Sequence, residues 1–340
     1  MNDETIVVTG ISGFIAKHCA VDLLKQGYRV RGTVRDLSKA DAVRRTLAQH
    51  ADVAKLDFAA ADLTADAGWD EAVNGAYGVL HVASPFPLVQ PKNADEVVRP
   101  AVDGTMRVMG AAKRAGVRRF VQTSSSVAVI YGHGPERKGE FTEADWTNPD
   151  APHVTPYQKS KTLAERAARA FVANENPPFH FSSVNPGFVL GPLLDDDAGT
   201  SGQAIALFLK GKYPGCPRLA FPVVDVRDIA KAHRLALETA EPSGGRYIAV
   251  SETAWFLDMM LAIRAELGQR ARKVPTRNIP DWLFKVIAMF DGGARTVLPD
   301  LGSYPVIDNS RTRKALGMDF IPLAQSAPAM AESLLRHGLA

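Results

Sequence analysis

Ser125, Tyr157 and Lys161 are the residues whose types and spacing can do chemistry. Tyr157 and Lys161 stand four apart in TPYQKSK, so on a helix they share a face. A phenol with a pKa of about 10 is a poor acid or base near neutrality. A lysine ammonium beside it stabilises the phenolate and brings it into working range. A serine hydroxyl can hold and polarise a carbonyl through a hydrogen bond. Ser125 lies in the run Ser124-Ser125-Ser126 after the β-rich stretch RRFVQT. Together the three describe interconversion of a carbonyl and an alcohol, with a hydride carrier supplying the difficult transfer.

A hydride carrier of the dinucleotide type needs a bed for its phosphates. TIVVT reads as a strand and leads into Gly10-Ile11-Ser12-Gly13-Phe14-Ile15-Ala16, a GxxGxxA pattern before an apolar helix. Gly10 allows the tight turn, Gly13 lets the backbone approach a pyrophosphate, and Ala16 permits close helix–sheet packing. The first-turn amides then face the phosphates. The second strand ends in Thr33-Val34-Arg35-Asp36. An NAD site places an acid at that tip; here Arg35 offers a guanidinium suited to the 2′-phosphate of NADP, with Lys39 four residues on. Lys161 is placed to reach the nicotinamide ribose.

The elements that must position these groups follow an alternating rhythm. Strands are expected over Thr5–Thr9, Tyr28–Val34, Tyr77–Val82, Arg119–Thr123 and His180–Val184. Helices are expected over Phe14–Lys25, Lys39–His50, Ala94–Ala115 and Pro156–Asn174, the last with Thr155 as N-cap and a stripe of Leu163, Ala167 and Phe171. Continuous apolar strands alternating with helices give an α/β fold, a doubly wound parallel sheet of Rossmann type. Past about residue 190 the rhythm breaks, and helices near Trp255–Leu267, Pro280–Met289 and Ala329–Arg336 are separated by irregular stretches. The expected division is a dinucleotide-binding domain over 1–190 and a smaller, mostly helical substrate lobe over 191–340, with segments around 219–250 returning to the sheet.

Composition narrows the partners. The chain has 340 residues, of which 46% are hydrophobic and 23% charged, and a net charge of +3. This is globular composition, too balanced for a protein dedicated to nucleic acid or an anionic membrane. Two cysteines exclude a disulfide scaffold, and eight histidines without HxH or HExxH spacing give no metal site. No signal peptide or apolar run of about 18 residues is present, so a cytoplasmic location is expected. His81 is read as strand packing, and Asp195-Asp196-Asp197 as a solvated acidic loop.

The series VTGISGFIA, GTVRD, VLHVASPF, VQTSSS, YQKSK, NPGFVLGP and VDVRDIAKAH resembles the extended short-chain dehydrogenases/reductases. The likeness is to the branch holding dihydroflavonol reductase, cinnamoyl-CoA reductase and microbial NADPH-dependent aldehyde or carbonyl reductases. It implies Ser125, Tyr157 and Lys161 as the catalytic set. It implies Gly10, Ser12, Gly13, Phe14 and Ile15 at the pyrophosphate, Asp62 and Leu63 at the adenine, and Val82, Ala83, Ser84 and Thr123 along the cofactor. Pro186, Gly187 and Val189 are implied beside the carboxamide. Two departures matter. Ile130 stands where the plant flavonoid enzymes carry an asparagine five residues after the serine. Ser126-Val127-Ala128 replaces the acidic residues of sugar-nucleotide dehydratases.

The resulting expectation is an NADP(H)-dependent reductase of a small-molecule aldehyde or ketone, monomeric or homodimeric, with Phe86, Phe188 and Phe221 walling an apolar pocket. Two alternatives share the fold: a nucleotide-sugar epimerase or dehydrogenase, and a non-enzymatic dinucleotide sensor. Arg35 and NPGFVLGP weigh against the first and the Tyr–Lys pair against the second.

Overall fold

Ile6, Val7 and Val8 show how the sheet is built. Ile6 and Val8 enter one apolar cluster, and Val7 enters another on the opposite face. Phe120 and Val121 divide in the same way. Successive side chains of a strand point to opposite faces, so a strand that is apolar throughout must be covered on both. The computed structural model describes residues 3–84, 93–134 and 137–340. Phe86, expected in the pocket wall, lies outside the described residues.

Strands β1 (Thr5–Val8), β2 (Arg29–Val34), β3 (Leu56–Ala60), β4 (Gly78–His81), β5 (Arg119–Thr123) and β6 (His180–Pro186) alternate with helices. These are α1 (Phe14–Lys25), α2 (Ala40–Ala48), α3 (Trp69–Val73), α4 (Asp95–Arg114) and α5 (Pro156–Glu175). Then come β7 (Phe188–Leu190), α6 (Gly199–Leu209), β8 (Ala220–Asp225), α7 (Val226–Glu238), β9 (Gly245–Ala249) and β10 (Glu252–Trp255). Helices α8 (Phe256–Leu267), α9 (Asp281–Phe290), α10 (Gly292–Val297), α11 (Ser310–Leu316) and α12 (Leu323–Arg336) complete the chain.

The main sheet has the order β3-β2-β1-β4-β5-β6-β9, and all its pairs are parallel. The chain leaves β1 in one direction and returns to the other side of it at β4. The carboxyl ends of β1 and β4 therefore flank a crevice where the order reverses, the place where such sheets bind ligands. Helices α1, α2 and α7 cover one face, and α3, α4 and α5 the other.

Of the stretch around 219–250, β9 joins the main sheet beside β6. Strand β8 is instead the middle of a second, three-stranded sheet with β7 and β10. That sheet shares a core with α6, α8 and α12, built on Ile205, Val223, Met259, Ile263, Met330 and Leu334. Helix α12 starts at Leu323, six residues before the sequence suggests, and runs through Pro328. Only about one turn precedes the proline, and burial of Ala327, Pro328, Met330 and Ala331 holds that turn against the lost amide bond.

Two close approaches fix the turn after β1. Gly10 has φ +62°, a left-handed conformation, and a Cβ there would stand 2.9 Å from the Ala83 Cβ. On β2, a Cβ at Gly32 would come within 3.0 Å of three side-chain carbons of the fully buried Ile11. Ile11 also donates its amide to the Thr33 carbonyl at 3.1 Å. Gly32→Ala must therefore displace Ile11 and the turn that carries it. We expect a loss of about 1–3 kcal/mol in chemical denaturation, the usual cost of overpacking, accompanied by weaker dinucleotide binding. A variant with unchanged stability and binding would show that the turn does not rest on this contact.

Candidate active site

Helix α5 begins with a reciprocal cap. The Thr155 hydroxyl accepts the Gln158 amide at 3.3 Å, and the Gln158 side chain accepts the Thr155 amide at 2.8 Å. Pro156 fills the first helical position. This rigid first turn carries Tyr157, and Lys161 follows one turn later. Opposite them, two residues past the end of β5, Ser125 is extended at φ −164°, ψ 154° and leads a short 3-10 turn over Ser126–Ala128.

The structure separates the three serines. Ser125 hydrogen-bonds Tyr157, accepts the Val127 amide at 3.3 Å, and lies 3.4 Å from the Pro186 carbonyl. Ser124 turns the other way and donates to Glu165 at 2.6 Å. Ser126 is buried at the start of the turn. Ser125, Tyr157 and Lys161 thus meet at the carboxyl end of the sheet.

The electrostatics of the three differ from one another. Burial raises the phenol above its ordinary value, and the Ser125 hydrogen bond is the opposing influence. The lysine charge acts on His81, helping burial to depress that imidazole to about 3. Lys161 itself is 8% exposed and has no hydrogen bond or ion pair among the described residues. Burial brings its pKa down to about 8.

Helix α5 does not bury the apolar stripe alone. Lys161, Ala164, Glu165 and Ala168 are buried, whereas Leu163, Ala167 and Phe171 are half-buried. Glu165 is enclosed and accepts from Ser124, Ser183 (2.9 Å), Asn185 (2.8 Å), Arg169 (3.2 Å) and Arg246 (2.8 Å). Burial raises its pKa, but the two guanidiniums outweigh that and the net direction is down. Arg246 also donates to the carbonyls of Ala128, Glu143 and Asp145 and lies 3.7 Å from the Trp146 ring centroid. Asn185 bridges to the Ser125 carbonyl at 3.1 Å. The sequence reading missed Glu165, Asn185 and Arg246. The signal available was an acid on the face of α5 that also carries Lys161.

At the other end of the crevice, Gly13 caps α1 without a side-chain hydrogen bond, and the first turn holds no acid. Its outer side is open: a Cβ on Gly13 would meet only the Gly10 carbonyl, at 3.4 Å. Ser12 is exposed, and Phe14 and Ile15 are half-buried. Arg35 and Lys39 are exposed at the tip of β2 and form no ion pair among the described residues. Asp62 turns its carboxylate onto the amide and hydroxyl of Thr64, both at 2.8 Å, which with Arg35 lowers its pKa. Leu63 packs over Gly104. Amides without a side-chain cap, two exposed cations at the neighbouring strand tip and a buried ammonium, neither cation nor ammonium paired among the described residues, form a donor set that fits a dinucleotide with an extra phosphate.

The remaining candidates line the same end of the sheet. Val82, Ala83 and Ser84 follow β4 and are half-buried. The Ala83 amide donates to Thr9 at 2.9 Å, the Thr9 hydroxyl lies 3.1 Å from His81 Nδ1, and His81 Nε2 lies 3.3 Å from Thr105. His81 is thus a neutral link in a buried relay rather than simple packing. Thr123 spends its hydroxyl on His233, at 2.6 Å, and turns only backbone toward the crevice. Pro186 ends β6. A Cβ on Gly187 would collide with the Pro222 carbonyl, so β8 crosses close to it. Val189 is buried, and Phe188 stacks on Phe221 with ring centroids 5.2 Å apart. Asp195 and Asp197 pair with the buried Lys17 of α1, while Asp196 is exposed as expected. No cluster that could hold a metal occurs among the described residues. No helix among them is long and apolar enough to cross a membrane.

Comparison with known proteins places this geometry. Residues 6–249 match the NAD dependent epimerase/dehydratase family. The chain is 34% identical over 333 residues to the ketoreductase azaE of Aspergillus niger, covering 93% of both. It is 33% identical to cinnamoyl-CoA reductase CAD2 of Medicago truncatula, over 97% of this chain and 95% of that one. Gre2 of Candida albicans, solved in complex with NADPH, superposes with a TM-score of 0.82 at 28% identity, covering 98% and 99% of the two chains.

The buried Lys161 has a stability consequence. Its folded pKa of about 8 lies below the ordinary 10.5, so between those values the unfolded chain binds more protons. The burial cost is fully present below pH 8 and disappears as pH rises through the window. Lys161→Met keeps the apolar stem and removes the charge. At pH 7 the variant should be the more stable in urea, by up to about 3 kcal/mol, with the gap closing towards pH 10.5. A less stable variant at pH 7 would contradict this account.

Proposed function

Because the chain belongs to the NAD dependent epimerase/dehydratase family, within the extended short-chain dehydrogenase/reductase branch of dihydroflavonol-reductase-like and aldehyde reductases, we propose that it is an NADPH-dependent reductase of aldehydes or ketones. The observation that carries this reading is the Ser125–Tyr157 hydrogen bond beside the buried Lys161, which has no hydrogen bond or ion pair among the described residues. The names of the ketoreductase relative and of the NADPH-bound Gre2 neighbour support the same reaction class.

In this reading the first-turn amides of α1 hold the pyrophosphate, and Gly10, Ser12, Gly13, Phe14 and Ile15 shape that bed. Arg35 and Lys39 take the 2′-phosphate, Asp62 and Leu63 flank the adenine, and Val82, Ala83, Ser84 and Thr123 run alongside. Pro186, Gly187 and Val189 border the carboxamide. Lys161 holds the ribose hydroxyls, which gives its buried ammonium hydrogen-bond partners. When bound, NADPH supplies the hydride that reaches the carbonyl carbon.

The protein's own groups handle the oxygen. Ser125 and Tyr157 both present hydroxyls to the carbonyl oxygen and polarise it. As negative charge builds there, Tyr157 passes its Oη proton to it. The raised pKa of this phenol keeps the proton in place at neutral pH, and a nascent alkoxide is a far stronger base than a phenolate. Phe188 and Phe221 offer an apolar wall for the rest of the substrate.

NADPH oxidation with a panel of aldehydes and ketones tests the reading; a chain inactive on every member would refute it. Tyr157→Phe should lower kcat by about 10²–10⁴-fold while NADPH binding persists, so undiminished turnover would remove the tyrosine from its role. Arg35→Ala should raise the KM for NADPH by about 10–100-fold, the worth of charged hydrogen bonds, and leave that for NADH nearly unchanged. Equal effects on both cofactors would deny Arg35 the 2′-phosphate.

A further inference from the structure

A cavity of about 240 Å³ lies between the chain that follows Ser125 and the segment around Leu298–Pro305. Ile130, Tyr131 and His133 line one side, and Pro299, Asp300 and Ser303 the other. Tyr131 ties it to the reacting end: Gln158, next to Tyr157 on α5, hydrogen-bonds the Tyr131 phenol, and Tyr157 is near enough to perturb it. Tyr131 in turn donates to Asp300 at 3.2 Å. That is the only hydrogen bond recorded for the Asp300 carboxylate among the described residues, and it has no ion pair there. An ionised carboxylate has room for about four donors. Burial lifts the Asp300 pKa to about 6, so at neutral pH it is chiefly ionised and acceptor-only.

We propose that this cavity is a polar subsite of the substrate cleft, in which Asp300 accepts a hydrogen bond from a hydroxyl group carried by the carbonyl substrate. The inference rests on the reductase reading and names its substrate class as hydroxy-ketones or hydroxy-aldehydes. Room and chemistry agree. At about 30 Å³ per water, the space has room for a short hydroxylated chain. Tyr131 orients the carboxylate, leaving its other lone pairs for a donor. Arg137 also lines the cavity, but its guanidinium is paired with Asp145 at 2.9 Å, so Asp300 is the acceptor left for a donor group. An alkyl chain in the same place would displace water and leave Asp300 under-satisfied, a penalty that sites built for a hydroxyl use to reject its apolar isostere.

The test compares isosteric pairs in NADPH oxidation by the full chain: 4-hydroxy-2-butanone against 2-pentanone, and 5-hydroxy-2-pentanone against 2-hexanone. The wild type should favour the hydroxylated member of at least one pair by about tenfold or more in kcat/KM. Asp300→Ala should bring that ratio close to one, and Asp300→Asn, which keeps a neutral acceptor, should fall between. A wild-type ratio near one in both pairs overturns the proposal without any variant. So does a preference that survives Asp300→Ala in a protein whose thermal midpoint and NADPH binding are intact. Faster turnover of 4-amino-2-butanone than of its hydroxy analogue would overturn the choice of hydroxyl. Absence of turnover on every ketone and aldehyde would instead refute the reductase reading itself.

Discussion

A carboxylate with no access to water must find its partners inside the protein, and Glu165 finds them on four segments. Its two oxygens collect donors from β5, β6, β9 and α5 itself, and through Arg246 they reach the 3-10 turn and the loop around Asp145. Removing any one would leave a buried charge under-satisfied, so each segment is held in register by the others. The segments tied in this way are those that present Ser125, Tyr157 and Lys161. Asn185 makes the link explicit by bonding both Glu165 and the Ser125 carbonyl. The geometry of the proposed catalytic set is thus a by-product of satisfying one buried acid.

The dinucleotide end is ordered differently, by missing side chains and by a directed chain of hydrogen bonds. Gly10 and Gly32 let the turn after β1 sit against Ala83 and carry Ile11 over β2. From the Ala83 amide, the relay through Thr9, His81 and Thr105 needs a neutral imidazole, and burial keeps it neutral. The Ala83 backbone is thereby fixed in the crevice where the sheet order reverses. One end is rigid because charge must be paired, the other because atoms cannot come closer.

What the sequence disclosed depended on range. The turn over Gly10–Ala16, the cap at Thr155–Gln158 and the Tyr157–Lys161 pair are local patterns, and α1 and β5 have the expected bounds. The dinucleotide fold followed, since alternating strands and helices admit few arrangements. The partners of Glu165 are scattered: Arg246 is 81 positions away, and no local pattern links them. The same holds for Tyr131 and Asp300, 169 positions apart. The choice among Ser124, Ser125 and Ser126 depended on where α5 packs, which spacing does not state. The burial of Lys161 was not legible, because it depends on which segments pack over α5.

Phe14 belongs to two cores at once. It is the first residue of α1, just after the glycine turn that follows β1. It packs against the apolar layer under the main sheet and also against the layer that α6, α8 and α12 build beside the second sheet. Gly199, at the start of α6, lies against its ring, and Lys17 binds the acidic loop just before it. The two halves of the chain are therefore not interchangeable cassettes. A lineage that recruits a new second half must keep one whose surface fits helix α1. Diversification would fall on the loops and rims of that half, while the seam at Phe14 is inherited intact.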